Sequence, residues 1–119
     1  MPLLDALRDH ANSYEGAWED YPFGPQDMVF KCANGRMFVI ASEQPGGRLA
    51  VTVKSTPAES EEALMLPCAR PARYLARAHW VSLDITSAAE FEIAFQLIAR
   101  SYELAAPLRP SKPRTRRGR

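Results

Sequence analysis

Few residues of this 119-residue chain have side chains that could carry out chemistry at a site. The two histidines are His10 and His79, and the two cysteines are Cys32 and Cys68. No CxxC spacing pairs the thiols, and no histidine flanks them to complete a zinc set. Phosphate-binding glycine loops, nucleophile elbows and HExxH motifs are also missing from the sequence. We therefore expect a protein that is not an enzyme and that has no metal site, no cofactor and no obligatory disulfide.

Basic residues interleaved with aromatic ones form the more informative pattern. Arg36 and Phe38 stand close to Lys31, and Trp80 directly follows His79. Such a combination is what nucleic-acid binding requires, because cations neutralise phosphates and exposed rings stack on bases. The competing interpretation is that the two aromatic rings belong to a second, smaller core or to a dimer contact.

Three further arginines, Arg70, Arg73 and Arg77, lie at i, i+3 and i+7. They would share one face if this stretch were helical. An ordinary solvated turn is the favoured alternative, because Pro71 weakens any helix there.

The charge is divided unevenly along the chain. From Pro107 onward there are six basic residues and no acidic one, which leaves nine basic and 14 acidic residues before it. A single domain over residues 1–106 would then carry −5, and a disordered, proline-spaced tail over 107–119 would carry +6. This tail could be a polyanion-binding arm or merely a solubilising terminus.

The elements that must position these residues follow from periodicity and turn signals. The pattern predicts three helices, starting near Leu3, after the capping box at Thr56 and after the capping box at Ser87. Predicted strands cover 27–33, 36–42, 48–55 and 79–85, and a short fifth strand precedes the last. The fold class is α+β: a two-layer sandwich in which helices back an antiparallel sheet of four or five strands, in the order α-β-β-β-α-β-α.

The hairpin register predicts which residues face outward. A two-residue Asn34-Gly35 loop would pair Lys31 with Phe38 and Cys32 with Met37, placing Met37 in the core. Phe30, Val39, Val51, Leu83, Phe91, Phe95 and Ile98 are predicted to be buried together. The predicted outer face carries Lys31, Arg36, Phe38, Ile40, Arg48, Thr52, Lys54, Trp80, Ser82 and Asp84. A slip of one residue would reverse this assignment.

The cellular setting is inferred from what the sequence lacks. No apolar export signal follows the first residues, and the longest apolar run, 37–41, is far too short to cross a bilayer. We expect a cytoplasmic protein without membrane contact, as a monomer or weak dimer.

Several short landmarks together resemble the MmcQ/YjbR family of small bacterial proteins. No single landmark is specific, but their order and spacing are, and the match covers nearly everything except the tail. The landmarks are Glu15-Gly16, Tyr21-Pro22-Phe23-Gly24, Val29-Phe30-Lys31, Gly35-Arg36-Met37-Phe38, Val53-Lys54, Arg77-Ala78-His79-Trp80, Leu83-Asp84 and Ser101-Tyr102-Glu103-Leu104.

This resemblance implies a fold like that of type III secretion chaperones and a DNA-binding role through a double-wing arrangement. The resemblance supports a DNA-binding role for Lys31, Arg36, Lys54, Arg77, His79 and Trp80. The sequence departs from the family pattern at residues 70–74, and Ala78 replaces a common lysine.

Our first hypothesis is a non-enzymatic accessory protein that binds double-stranded DNA weakly and with little sequence preference. One alternative is a protein-interaction module that uses the same sheet face, and another is a small-molecule binder whose pocket is formed by the 22–24 loop and His79-Trp80. The candidate DNA-binding residues are Lys31, Arg36, Phe38, Arg48, Lys54, Arg70, Arg73, Arg77, His79, Trp80, Arg114, Arg116 and Arg117.

Overall fold

The computed structural model describes residues 3–72, 75 and 78–106. Three α-helices and six strands make up most of this part of the chain. In chain order they are α1 (Leu3–Asn12), β1 (Trp18–Asp20), β2 (Met28–Lys31), β3 (Met37–Gln44), β4 (Arg48–Lys54), α2 (Pro57–Ala63), β5 (Ala69–Pro71), β6 (Trp80–Ile85) and α3 (Ala88–Ala105).

The strands form one open antiparallel sheet in the order β1-β2-β3-β4-β6-β5. The α+β class is therefore confirmed, and β5 is the short strand expected before β6. The sequence did not predict β1, which extends the sheet by one edge strand beyond β2. All three helices contribute buried residues to the same core cluster, Leu7 from α1, Ala63 from α2 and Ile98 from α3, so they cover one face of the sheet. We call this the helix face and its opposite the outer face.

The core lies between the helices and the four central strands. Of the seven residues predicted to be buried together, six are buried in this core, and Phe95 is half-buried beside them. The Phe95 ring stacks on His10 of α1, with 4.0 Å between centroids.

Both predicted capping boxes begin helices. The Thr56 hydroxyl accepts the backbone N–H of Glu59 at 3.2 Å, and the Ser87 hydroxyl accepts that of Glu90 at 3.3 Å. The Glu90 carboxylate in turn accepts the backbone N–H of Thr86 at 2.7 Å, which lowers the pKa of that carboxyl.

The β2–β3 hairpin corrects the predicted register. Its loop has three residues rather than two, because the Cys32 N–H donates to the Arg36 carbonyl and the Gly35 N–H donates to the Cys32 carbonyl, both at 2.8 Å. Lys31 consequently pairs with Met37, while Phe30 still pairs with Val39. Phe38 is the extra residue of a β-bulge between these two pairs.

The bulge exchanges the positions of two side chains. Phe38 is fully buried on the helix face, where its ring makes edge-on contacts with Tyr14 and Tyr102 at centroid distances of 5.8 and 5.2 Å. Met37 shares the outer face with Lys31. The predictions of an outward Phe38 and a core Met37 were therefore wrong. Arg36 was also predicted on the outer face, but it lies opposite the buried Cys32.

Candidate nucleic-acid interface

A cleft opens at the end of the sheet where the β2–β3 hairpin turns. Its volume is about 270 Å³, and we call it the Arg36 cleft. Arg36 directly follows the hairpin loop, and Met37 begins β3. Lys54 ends β4 and Trp80 begins β6, while Ala105 closes the cleft at the end of α3. Three residues predicted as DNA-binding, Arg36, Lys54 and Trp80, are thus brought together.

The end of α3 is tied to the strands that form the cleft. The buried Ser101 hydroxyl donates to the Phe38 carbonyl at 2.6 Å and accepts the Lys54 backbone N–H at 2.9 Å. The Asn34 side-chain amide donates to the carbonyls of Ala105 and Ala106 at 2.9 and 3.0 Å. These bonds join hairpin, β4 and helix, so the backbone around the cleft is held in place.

His79 adopts an unusual backbone conformation just before Trp80. Its φ angle is +65°, in the left-handed region that residues other than glycine rarely adopt. Its carbonyl accepts the Ser55 N–H at 3.1 Å, which fixes this turn against the end of β4. Trp80 then pairs with Lys54, whose Nζ lies 6.0 Å from the ring centroid. The Trp80 side chain lies on the predicted face but is only 6% exposed, so it forms a wall of the cleft rather than a projecting ring.

The cations predicted on the outer face differ in how they are neutralised. Lys31 forms an ion pair with Asp20 at 2.7 Å, which lowers the pKa of that carboxyl. Arg70 forms one with Asp84 at 3.2 Å. Within residues 3–72, 75 and 78–106, no carboxylate lies within ion-pair distance of Arg36 or Lys54. Arg48 also lacks such a partner among the described residues, but it does not line the cleft, so Arg36 and Lys54 are the two unpaired cations that lie together.

The remaining predicted contact residues lie elsewhere. Arg48 shares the outer face but starts β4 at the opposite end from Lys54, roughly 20 Å away along the strand. Arg70 belongs to β5, so a helical alignment with Arg73 and Arg77, which was the less favoured of the two interpretations, does not hold at its first member. The predictions for Arg73, Arg77, Arg114, Arg116 and Arg117 fall outside the described residues. Phe38 cannot contact a ligand from its buried position.

Sequence reasoning missed Trp18 and Asp20, which β1 adds to the outer face. Trp18 pairs with Lys31, and Asp20 neutralises that lysine. The alternation of Trp18, Glu19 and Asp20 was the available signal, but three residues are too few to establish a period of two.

The rest of the described molecule offers weaker sites. A larger cavity of about 470 Å³ near Leu4, Met28 and Glu43 has a carboxylate as its one charged lining group, which disfavours anions. Cys32 is buried and Cys68 is half-buried, and burial raises the pKa of both thiols. Among the described side chains, no group of three histidine, cysteine or carboxylate residues converges to hold a metal ion. In the same part of the chain, no helix has the length and apolar character needed to cross a bilayer.

Comparison with known proteins bears on the whole domain, including the cleft. A family model described as YjbR matches residues 12–104. The chain belongs to the YjbR family. This matched range includes all six strands and most of α3, hence all of the Arg36 cleft except Ala105.

Two solved structures share the fold of this YjbR-family chain. The Deinococcus radiodurans protein DR2400, with a DUF419 domain, is 25% identical, has a TM-score of 0.72 and aligns over 87% of this chain and 80% of its own. A Pseudomonas syringae protein is 20% identical, has a TM-score of 0.69 and aligns over 85% of this chain and 97% of its own. No curated protein matches the chain in sequence.

Proposed function

We propose that this YjbR-family protein is a non-enzymatic, cytoplasmic accessory protein that binds DNA weakly and with little sequence preference. Its contacts are to phosphates, and the Arg36 cleft is where the folded domain makes them. Phosphates are common to every sequence, so a site of this kind positions the protein without reading bases.

One observation carries this proposal. Arg36 and Lys54 converge on an open cleft without a carboxylate partner among the described residues, whereas Lys31 and Arg70 are paired with acids. A lysine or arginine already held by a carboxylate gains little from a phosphate, because the existing pair must first be broken. The cleft therefore offers a phosphate two cations that need not first leave a carboxylate.

The position of the cleft along the chain supports the same function. Ala105 lines it, and the C-terminal segment with six basic residues begins two residues later. A DNA strand held at the cleft is therefore close to the point from which this segment continues. The rest of the chain carries a charge of −5 and repels DNA at long range, so the basic segment adds affinity that the cleft alone does not supply.

Double-stranded DNA presents the phosphates that these contacts require. Each phosphate neutralised contributes about −0.9 to the slope of log K against log salt for duplex DNA. Two cleft cations alone would give a slope of about −2, which corresponds to weak binding that disappears at high salt.

A matched pair of variants tests the proposal. Arg36→Gln and Arg48→Gln each remove one exposed positive charge, but only Arg36 lies at the cleft. We expect Arg36→Gln to weaken duplex binding several-fold near 50 mM salt and to reduce the salt slope by about one, while Arg48→Gln has little effect. Equal effects of the two variants would show that only net charge matters and would refute the cleft. If the unaltered protein binds no duplex, the protein-interaction alternative replaces this proposal.

A further inference from the structure

Tryptophan and lysine side chains form a row across the outer face at the hairpin end of the sheet. Trp18 of β1 pairs with Lys31 of β2, which pairs with Met37 of β3. On the far side of Met37, Lys54 of β4 pairs with Trp80 of β6. We call these five residues the Trp–Lys row. Its last three members line the Arg36 cleft, so the row extends the cleft toward the β1 edge.

The two tryptophans of the row differ in exposure. Trp80 is 6% exposed, whereas Trp18 is 43% exposed at the open edge of the sheet. Trp18 is nevertheless held in place, because its indole N–H donates to the Cys32 carbonyl at 3.1 Å and the Lys31 Nζ lies 5.2 Å from its ring centroid. An exposed aromatic ring that is already fixed loses little side-chain entropy when a flat ligand stacks on it.

We infer that the Trp–Lys row binds single-stranded nucleic acid in preference to duplex, with an unpaired base on Trp18 and backbone phosphates at the Arg36 cleft. This inference rests on the proposed function and names the form of nucleic acid that the site favours. Base stacking on a fixed ring tolerates any sequence, because every base has a π-face.

The geometry of the row explains the preference. In a duplex the base faces are hidden in the stack, so Trp18 can gain nothing from them. A single strand leaves its base faces available. Trp18 and Met37 are two strand spacings apart, about 10 Å, so one flexible strand can place a base on the ring and a nearby phosphate at the cleft.

The charges along the row separate the two contacts. Asp20 neutralises Lys31 beside Trp18, which leaves that end aromatic and nearly neutral. Arg36 and Lys54 supply the positive charge at the other end. A base and a phosphate thus have different preferred positions, and Trp18 governs only the part of binding that needs unpaired bases.

The test uses a mixed-sequence oligonucleotide of about 12 nucleotides, within the size that such surfaces cover, alone and hybridised to its complement. The 119-residue protein should bind the single strand about tenfold more tightly than the duplex at low salt. Trp18→Leu should remove most of that difference and leave duplex binding unchanged. Trp18→Phe, which keeps a ring, should retain it. Phe23→Leu is the matched control, because Phe23 is another exposed ring, at 59%.

A measurement on the unaltered protein guards against a variant that folds poorly. The single strand should quench indole emission and shield the exposed indole from acrylamide, and the duplex should do neither. Equal affinity for the two DNA forms, unchanged quenching, or full single-strand binding by Trp18→Leu would overturn the inference. Arg36→Gln separates failure of this inference from failure of the proposed function. If this variant binds both DNA forms more weakly, the cleft is supported even when the single-strand preference is absent. If neither form binds, the proposed function itself fails.

Discussion

Replacing Phe38 by alanine gives the sharpest test of the bulge that builds the cleft. Phe38 is fully buried and contacts Tyr14 and Tyr102. If the bulge were absent, uninterrupted alternation would place this ring on the outer face, where its loss would cost little. The substitution therefore distinguishes two registers of one hairpin.

The expected cost follows from burial. Truncating a buried phenylalanine to alanine costs about 3–5 kcal/mol, and loss of two edge-on aromatic contacts places Phe38→Ala near 4 kcal/mol. With a urea m-value of about 1.5 kcal/mol/M, the unfolding midpoint should fall by about 2–3 M. This is a large share of the stability of a small domain, so Phe38→Leu provides a milder second variant, which should lose about 1–2 kcal/mol.

Equilibrium urea unfolding followed by circular dichroism measures these changes. The control is Met37→Ala, since Met37 is half-buried at the cleft and should cost only about 1 kcal/mol. A Phe38→Ala midpoint close to that of the unaltered protein, or a larger loss for Met37→Ala, would refute the bulged register and with it the placement of Met37 at the cleft.

Substitutions at three further positions test the structure around the site and in the domain behind it. Ser101→Ala should lower the unfolding free energy by about 2 kcal/mol, because it leaves the buried Phe38 carbonyl and the Lys54 N–H without their partner, and an unchanged urea midpoint would contradict this. His79→Gly should change the free energy of unfolding by no more than about 1 kcal/mol, whereas His79→Val should lower it by more, because a β-branched residue fits a φ of +65° poorly. Thermal unfolding measures the difference, and equal melting temperatures for the two variants would refute the strain at His79. Burial lowers the pKa of His10, so the folded state disfavours protonation of this ring and loses stability as the pH falls below about 6.5, the ordinary pKa of histidine. His10→Gln should therefore reduce the fall in unfolding free energy between pH 7 and 5. Identical pH profiles for the variant and the unaltered protein would refute this role of His10.

The sequence predicted those parts of the fold that depend on local signals. The capping boxes at Thr56 and Ser87 begin helices because their hydroxyls accept backbone N–H groups three residues on, a purely local interaction. The central strands were predicted because long alternating runs leave little choice of buried face. The core residues Val39, Val51 and Leu83 follow from that alternation.

The candidate site was harder to predict because it depends on one hairpin loop. Asn34-Gly35 suits a two-residue turn, yet the loop closes between Cys32 and Arg36 and takes in a third residue. Tertiary packing favours this outcome, since the bulge places the Phe38 ring against Tyr14, which follows α1, and Tyr102 of α3, and no local pattern links either to it. Neutralisation of Lys31 by Asp20 was also hidden, because it requires the three-residue strand β1. The cations were thus identified from sequence, but not which of them keep an accessible charge.

The central claim is that the cleft and the basic C-terminal segment bind DNA through phosphates. Its most direct test is the slope of log K against log salt for one duplex, measured on the 119-residue chain and on a chain ending at Ala106. If three or four basic residues of the segment engage, the truncation should reduce the magnitude of the slope by about three. Arg36→Gln with Lys54→Gln should remove most of the binding that remains. Absence of salt-sensitive binding by the 119-residue chain near 50 mM salt would contradict the account.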